Sequence, residues 1–466
     1  MTPDKAAEII EWARAHPAEW ARETFGFEPW SKQREILESI RDNRLTAARS
    51  CHAIGKGLAL NTPLPAPNGW TTMGAVSPGD MLIDEAGDAC EVEWVSEIHR
   101  RPCFEVKFSD GSTLVTDDVH QWDTIRLEDR GAERMRRRAR GVSAPSDWRD
   151  QWHLSRTIST EDIANSLRTS CGQLRHGVPI TQPIVGVHRD FLIDPYVLGA
   201  WLGDGTSAGA TITFADIEIA EKIRAVGEHC NARGDRYLWA MTGPHDDRER
   251  LHLRLRSIGV LGNKHIPVEY LRSDIDQRLA LLRGLMDTDG FVDAGGSGID
   301  QVNERLANNI AELVRSLGCI VNVKRCKSHL AGYEPRDRFR LHWSSSFCPF
   351  ALSRKVDAWR VRHKEAQSSR MTIRSIVDVK PIDSVPTKCI RVDSPRHLFL
   401  AGDRMIPTHN STVGAVTALW FHTCYPRSIV LTTATSSRQV YGILWREIHA
   451  LCRRAAKRGM QVGGHL

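Results

Sequence analysis

The chain has 466 residues, 41% of them hydrophobic and 26% charged, with a formal net charge of +6 at pH 7. That size allows two to four domains with real cores, and no run of 18 apolar residues offers a membrane span. The opening "MTPDKAAEIIEW" lacks the apolar core of a secretion signal, and the 11 cysteines form no Cys-x-x-Cys pair, which argues against a zinc site or a disulfide framework and for a reducing cytoplasm.

In chain order, "PDKAAEIIEWARAHPAEWARETFG" carries apolar residues at helical spacing, "SKQREILESIRDN" predicts a second amphipathic helix capped by Ser31, and "RLTAARS" gives a short strand. The strand runs into "CHAIGKG", which has the look of a phosphate-binding loop. Gly55 and Lys56 stand where such a loop turns into a helix, yet Gly57 follows where a Ser or Thr should bind magnesium. From Gly57 to about residue 125, turn residues punctuate short alternating runs such as "CEVEWVSEIH" and "CFEVKFSDGSTLVT", an all-β pattern. A basic, irregular stretch containing "RGAERMRRRARG" reaches to about residue 160 and reads equally as a solvated insertion or a nucleic-acid backbone contact. Residues 190–365 are mixed α/β and repeat one feature, a helix ending in Asp-Gly, as "VLGAWLGDG" and "LRGLMDTDG". After about residue 370 β character returns, in "SIVDVKPID" and "TKCIRVDSPRHLFLAGDRMIPTHN". From Ser411 a helix–strand–helix pattern resumes.

The two ends match each other in style and differ from the middle. Joining Lys56 directly to Ser411 gives "RSCHAIGK-STVGAVTALWF", in which Gly-Lys-Ser leads straight into a helix. The phosphate loop is complete only in the joined chain.

Residues 57–410 resemble an intein, a self-excising element, carrying a LAGLIDADG homing endonuclease. The likeness rests on the downstream border "PTHN-S", the upstream "LNTPLPAPNGW" and "PGD", and the block "GSTLVTDDVHQW" between them. Peptide cleavage without ATP needs an internal nucleophile, and Gly57 has none. One intein subclass replaces the first-residue nucleophile by an internal cysteine with a linked Trp and Thr; Trp122, Cys389 and Thr408 stand in that register. Cys389 or Trp122 alone would be ordinary core residues. The resemblance implies that Cys389 attacks the Lys56 carbonyl, polarised by His120, and that Ser411 accepts the acyl group. Asn410 then cyclises with help from His409, and a shift to nitrogen leaves a Lys56–Ser411 peptide bond. His397 is a second candidate helper, with structural packing its alternative. On this scheme Gly57→Ala is tolerated and Cys389→Ala is not, and no cofactor is needed. The family pattern Thr-x-x-His is broken by Asp117 in the Thr position; an ionised Asp cannot donate a hydrogen bond, so its expected role is to orient His120.

The two Asp-Gly helices resemble a pair of LAGLIDADG motifs. Gly199, Gly203 and Gly284 let the helices approach, and Asp204 and Asp289 are the implied Mg2+ ligands for cutting double-stranded DNA at the intein-less gene junction. Lys264, in "NKHIP", is the implied aid to charge stabilisation or water activation.

The ends, "FGFEPWSKQREILESIRDN", "RSCHAIGK-STVGA" and "SIVLTTATSSRQV", look like the ATPase start of a phage terminase large subunit, with a helicase or another P-loop ATPase as the alternative. Gly55, Lys56, Ser411 and Thr412 would bind ATP and Mg2+ after joining. The expected partners are DNA and phage packaging machinery, with no membrane, in the cytoplasm of a bacterial host. No Walker B carboxylates are found before Leu466, so the chain reads as a fragment or an incomplete gene product. The expected fold is multidomain: an all-β, horseshoe-like Hint splicing domain (57–160 and 369–410) split by an α+β LAGLIDADG endonuclease (161–368). Pieces of an α/β P-loop NTPase (1–56 and 411–466) flank it.

Overall fold

The computed structural model describes residues 3–25, 31–46, 57–118, 120–139, 141, 152, 154–234, 237–241, 250–293, 295–328, 336–363, 372–396, 398–409, 414–425, 428–430 and 445–460. Their buried apolar side chains fall into three large cores, one for each part of the chain that the composition separates.

The first core belongs to the β domain. Among the described residues its largest sheet has nine strands, and two strands from the far end of the insertion are inserted between strands from its start. Leu58–Ala59 lies between Thr113–Asp117 and Pro386–Lys388, and Ile373–Ile382 lies between Cys103–Phe108 and His176–Pro179. Alternation in the sequence sets which side chains face inward, as in Cys90 and Val92 of "ACEVEWV". The domain reaches further than residue 160. Ser159 caps the helix Thr160–Ser166, which buries Ile163 in this core, and His176–Pro179 pairs with both Gln121–Arg126 and Ile373–Ile382. The arginine-rich stretch is not irregular either: Leu127–Ala139 is a helix, with Glu128 and Asp129 in its first turn where the helix dipole favours acids.

The second core holds the two Asp-Gly helices, Pro195–Asp204 and Ile275–Thr288. Each is followed by an antiparallel sheet, three-stranded after the first and four-stranded after the second. Gly199 and Gly284 bring the helix backbones together: a Cβ on Gly199 would sit 2.1 Å from Leu281 O, and one on Gly284 2.1 Å from Tyr196 O. This domain docks on the β domain through buried Arg272, which donates to Ala66 O and Gly69 O and pairs with Glu312 at 2.8 Å.

The third core joins the flanks. The helices Pro3–Ala15, Pro17–Phe25 and Ser31–Asp42 pack with Gly414–Cys424 and Arg446–Lys457 around Trp420, whose Nε1 donates to Ala13 O at 2.8 Å. No helix among the described residues is long and apolar enough to cross a membrane.

Candidate functional site

The β domain gathers the predicted splicing residues around His120, which is fully buried. Its Nε2 hydrogen-bonds to Thr408 Oγ1 at 2.5 Å. Thr408 arrives on a hairpin, Leu398–Ala401 paired with Ile406–His409, in which it lies opposite Phe399. Trp122 packs edge-on against the imidazole, with centroids 4.8 Å apart, and against Phe108. Its Nε1 donates to Thr160 Oγ1 at 3.0 Å, and that hydroxyl donates to His120 O at 3.1 Å. Trp122 and Thr160 therefore fix the segment that carries His120. Thr160 was missed from the sequence, where it reads only as a helix start.

Gly57 is the second focus. Strand Leu58–Ala59 pairs with Pro386–Lys388 in the register Leu58↔Lys388 and Ala59↔Thr387. The pairing ends there, and because the strands are antiparallel Gly57, just before Leu58, and Cys389, just after Lys388, stand at the same end of the pair. Cys389 is buried, and its backbone is pinned by Ser96: Cys389 N donates to Ser96 Oγ at 2.9 Å and Ser96 N donates to Cys389 O at 2.8 Å. Gly57 leaves no room for a side chain. A Cβ would lie 2.6 Å from Thr387 Oγ1, 2.7 Å from Thr387 Cβ and 2.9 Å from Asp117 Oδ2. The expected tolerance of Gly57→Ala meets a steric objection here, because the added methyl needs Thr387 or Asp117 to shift.

Asp117 also differs from expectation. Its carboxylate does not hold the His120 ring; Oδ2 accepts from Gly57 N at 2.8 Å, and Asp117 N donates to Gly57 O at 3.0 Å. The His120 backbone N–H donates to the Asp117 carbonyl oxygen at 3.3 Å and also lowers the Asp117 carboxyl's pKa. Burial pushes the Asp117 carboxyl up to about 6. Gly55, Lys56, His397, Asn410, Ser411 and Thr412 lie outside the described residues, and of His409 only the backbone is described, opposite Leu398.

The endonuclease-like domain brings Asp204 and Asp289 together at the ends of the paired helices. Gly203 permits this, since a Cβ there would meet Thr288 Oγ1 at 2.1 Å. Asp289 accepts from Gln301 Nε2 at 3.1 Å, and burial followed by the Asp204 charge holds it well above the usual carboxylate range. Lys264 Nζ donates to Leu202 O at 3.0 Å and Gly203 O at 2.9 Å, and burial pulls its pKa down. Lys355, absent from the sequence reading, does the same for the other helix: Nζ donates to Met286 O at 2.7 Å, Asp287 O at 2.8 Å and Gly290 O at 2.7 Å. The internal repeat held the signal for it. Lys264 follows Asp204 by 60 residues and Lys355 follows Asp289 by 66. The carboxylate pair fits a divalent cation, because its mutual repulsion is relieved only partly by two ammoniums already bonded to carbonyls. Among the described residues no third Asp, Glu, His or Cys completes a metal-binding group with them. The outer face of the four-stranded sheet carries Lys324, Arg338 and Arg340, with Lys324 opposite Arg340 in register.

Residues 276–342 match the LAGLIDADG-like domain family. The chain is 42% identical over 376 residues to the replicative DNA helicase DnaB of Mycobacterium intracellulare, a match that covers 79% of this chain and 61% of that protein. It is 42% identical over 93 residues to the replicative DNA helicase DnaB of Mycobacterium leprae, covering 19% of this chain and 15% of that protein. The chain thus spans less than two thirds of the curated relatives it matches. Solved structures of the Msm DnaB1 intein splicing domain bound with zinc and of the MchDnaB-1 intein are similar at 16% identity. Each match covers 76% of this chain and 99% of the other, with TM-scores of 0.24 and 0.23. The curated relatives are replicative helicases, so the expectation of a phage packaging ATPase with packaging partners gives way to its helicase alternative. The match to the LAGLIDADG-like domain family runs from the second carboxylate helix through the basic four-stranded sheet.

Proposed function

We propose that residues 57–410 are an autocatalytic splicing element that excises itself and joins Lys56 to Ser411. The observation that carries this reading is the antiparallel Leu58–Lys388 pair, which puts Gly57 and Cys389 at the same end of two neighbouring strands. The Cys389 sulfur attacks the Lys56 carbonyl; the C–S bond forms and the C–N bond to Gly57 breaks, giving a thioester and a free Gly57 amine. Ser411 Oγ then displaces the sulfur and gives up its proton, and Asn410 closes on its own carbonyl to release the element. The His120–Thr408 contact links the segment that follows Asp117 to the hairpin strand Ile406–His409, which tethers the two borders to one buried imidazole. Expression of the chain followed by intact mass measurement tests the reading. Joined flanks and a free insert are expected, whereas Cys389→Ala leaves the upstream bond whole. A persistent full-length chain from the unaltered sequence would overturn it.

We further propose that the LAGLIDADG-like domain cuts double-stranded DNA with Mg2+ held by Asp204 and Asp289. A divalent ion there supplies Lewis acidity and a more acidic bound water. Lys264 and Lys355 hold the two helix ends and add positive charge beside the carboxylates, and the Lys324–Arg340 face contacts phosphates. Incubation with a plasmid bearing the joined flank gene should give cleavage that Asp204→Asn with Asp289→Asn removes; a plasmid left intact by the unaltered protein refutes the activity.

For the joined flanks we propose a P-loop ATPase of the replicative helicase kind. The Mycobacterium intracellulare match is longer than both flanks combined, so it draws mainly on the insertion, and the flank reading stands on the restored Gly-Lys-Ser. Nucleotide binding that is present in the joined product and lost in Lys56→Ala is the expected result; equal binding in both refutes it.

A further inference from the structure

We infer that Asp117 is a catalytic residue of the upstream bond exchange, the acid that places a proton on the Gly57 nitrogen as the Lys56–Gly57 bond breaks. The inference rests on the splicing reading above and adds to it a residue that departs from the family pattern.

An amide nitrogen leaves only after it gains a proton. The group at the Gly57 nitrogen is Asp117, whose Oδ2 stands 2.8 Å from it; the imidazole Nε2 of His120 is held instead by Thr408. The return bond from Asp117 N to Gly57 O, at 3.0 Å, fixes the pair in both directions. The remaining carboxyl oxygen, Oδ1, is buried without a hydrogen-bond partner, an unfavourable place for an ionised oxygen and a natural one for a proton. The charged neighbours act in opposite senses. Asp118 raises the Asp117 pKa and Arg101, paired with Asp118 at 3.0 Å, lowers it, but burial is the largest influence and leaves the carboxyl at about 6. Substantial acid therefore survives near neutrality.

The step balances as follows. Cys389 gives its thiol proton to solvent and its sulfur adds to the Lys56 carbonyl. As the C–N bond lengthens, the carboxyl turns about Cβ–Cγ, carrying the Oδ1 proton to the nitrogen. Gly57 leaves as an amine, the acyl group stays on sulfur as a thioester, and solvent restores the proton to Asp117.

The test uses the full chain carrying Asn410→Ala, so that the downstream bond stays closed. Hydroxylamine captures the thioester, and the release of residues 1–56 is timed by mass across pH 6 to 8. With Asp117 present, the rise in thiolate with pH is largely offset by the fall in acid, so the rate stays nearly flat, within a few-fold across the range. Asp117→Asn still accepts a hydrogen bond from Gly57 N, yet it should slow release about 100-fold at pH 6 and make the rate climb tenfold per unit with the thiolate alone. Asp117→Glu should keep the flat profile at a reduced rate. Parallel profiles for Asp117 and Asp117→Asn overturn the assignment while leaving splicing intact. No hydroxylamine-released fragment from the parent chain overturns the splicing reading with it.

Discussion

Gly57→Ala is the sharpest test of why the insertion begins with glycine. The added methyl would stand 2.6 Å and 2.7 Å from Thr387 Oγ1 and Cβ and 2.9 Å from Asp117 Oδ2, well inside ordinary carbon contact of about 3.5–4.0 Å. Two of these contacts are to Thr387, whose strand lies between Leu58–Ala59 and His99–Arg100 and leads directly into Cys389. Relief therefore displaces the nucleophile or the carboxyl at the leaving nitrogen. Overpacking of this kind costs about 1–3 kcal/mol; expressed as lost alignment, that is roughly 5- to 150-fold in rate. Timed hydroxylamine release of residues 1–56 measures it, and Thr387→Gly in the same chain should restore most of the loss as the two changes couple. Release from Gly57→Ala within twofold of the parent would refute the steric argument.

Three further outcomes follow from the same kind of reasoning. Gly284→Ala forces a Cβ to 2.1 Å from Tyr196 O; calorimetry should show the endonuclease-like domain unfolding about 2–10 °C lower, and an unchanged midpoint counts against the close helix contact. Lys355→Met strips the donor from the carbonyls at the second helix end, so plasmid cleavage should slow; cleavage at the parent rate argues against a part for Lys355 in holding Asp289. Glu85 is buried and its carboxyl is pushed from an ordinary 4.5 to about 8, by burial first and Asp84 second. The native state keeps a proton there that the unfolded chain has released, so stability falls as pH rises from about 4.5 to about 8 and levels off above that. Glu85→Gln should raise the unfolding midpoint more at pH 8 than at pH 5, and a gain independent of pH would refute this.

The parts of the site that the sequence made legible are those where chemistry and spacing coincide. Cys389, His120, Trp122 and Thr408 could be singled out because a missing nucleophile at Gly57 demanded substitutes, and the structure brings His120, Trp122 and Thr408 into one cluster. The paired carboxylate helices were legible because two glycine-bearing Asp-Gly segments repeat. What stayed hidden depends on tertiary contacts. Thr160 and Thr387 are small polar residues with no motif, and each acquires its role only from a strand or helix folded beside it. Lys355 sits in "SRKVDAW", which resembles no block, and only comparison of the two repeats points to it. The helix Leu127–Ala139 was hidden by charge: arginine density reads as a solvated run, while its helix-forming residues and acidic first turn fix the backbone. Asp117 was read through the Thr-x-x-His pattern as a partner of His120, and its second partner, Gly57, appears only when the sheet brings the two together.

The flanking helices pack around Trp420 although residues 57–410 separate them in the chain. Within the insertion, Asp117 touches Gly57 and His120 touches Thr408, so its first residue and a residue close to its end meet on the short segment from Asp117 to His120. Seen from the host, the two borders of the insertion therefore lie near one another. A folded unit whose ends are neighbours can lodge in a surface loop without prising its surroundings apart, and the entropy of closing a loop grows only slowly with its length. On the splicing reading, the helices on either side of the junction are already packed together before their chain ends are joined.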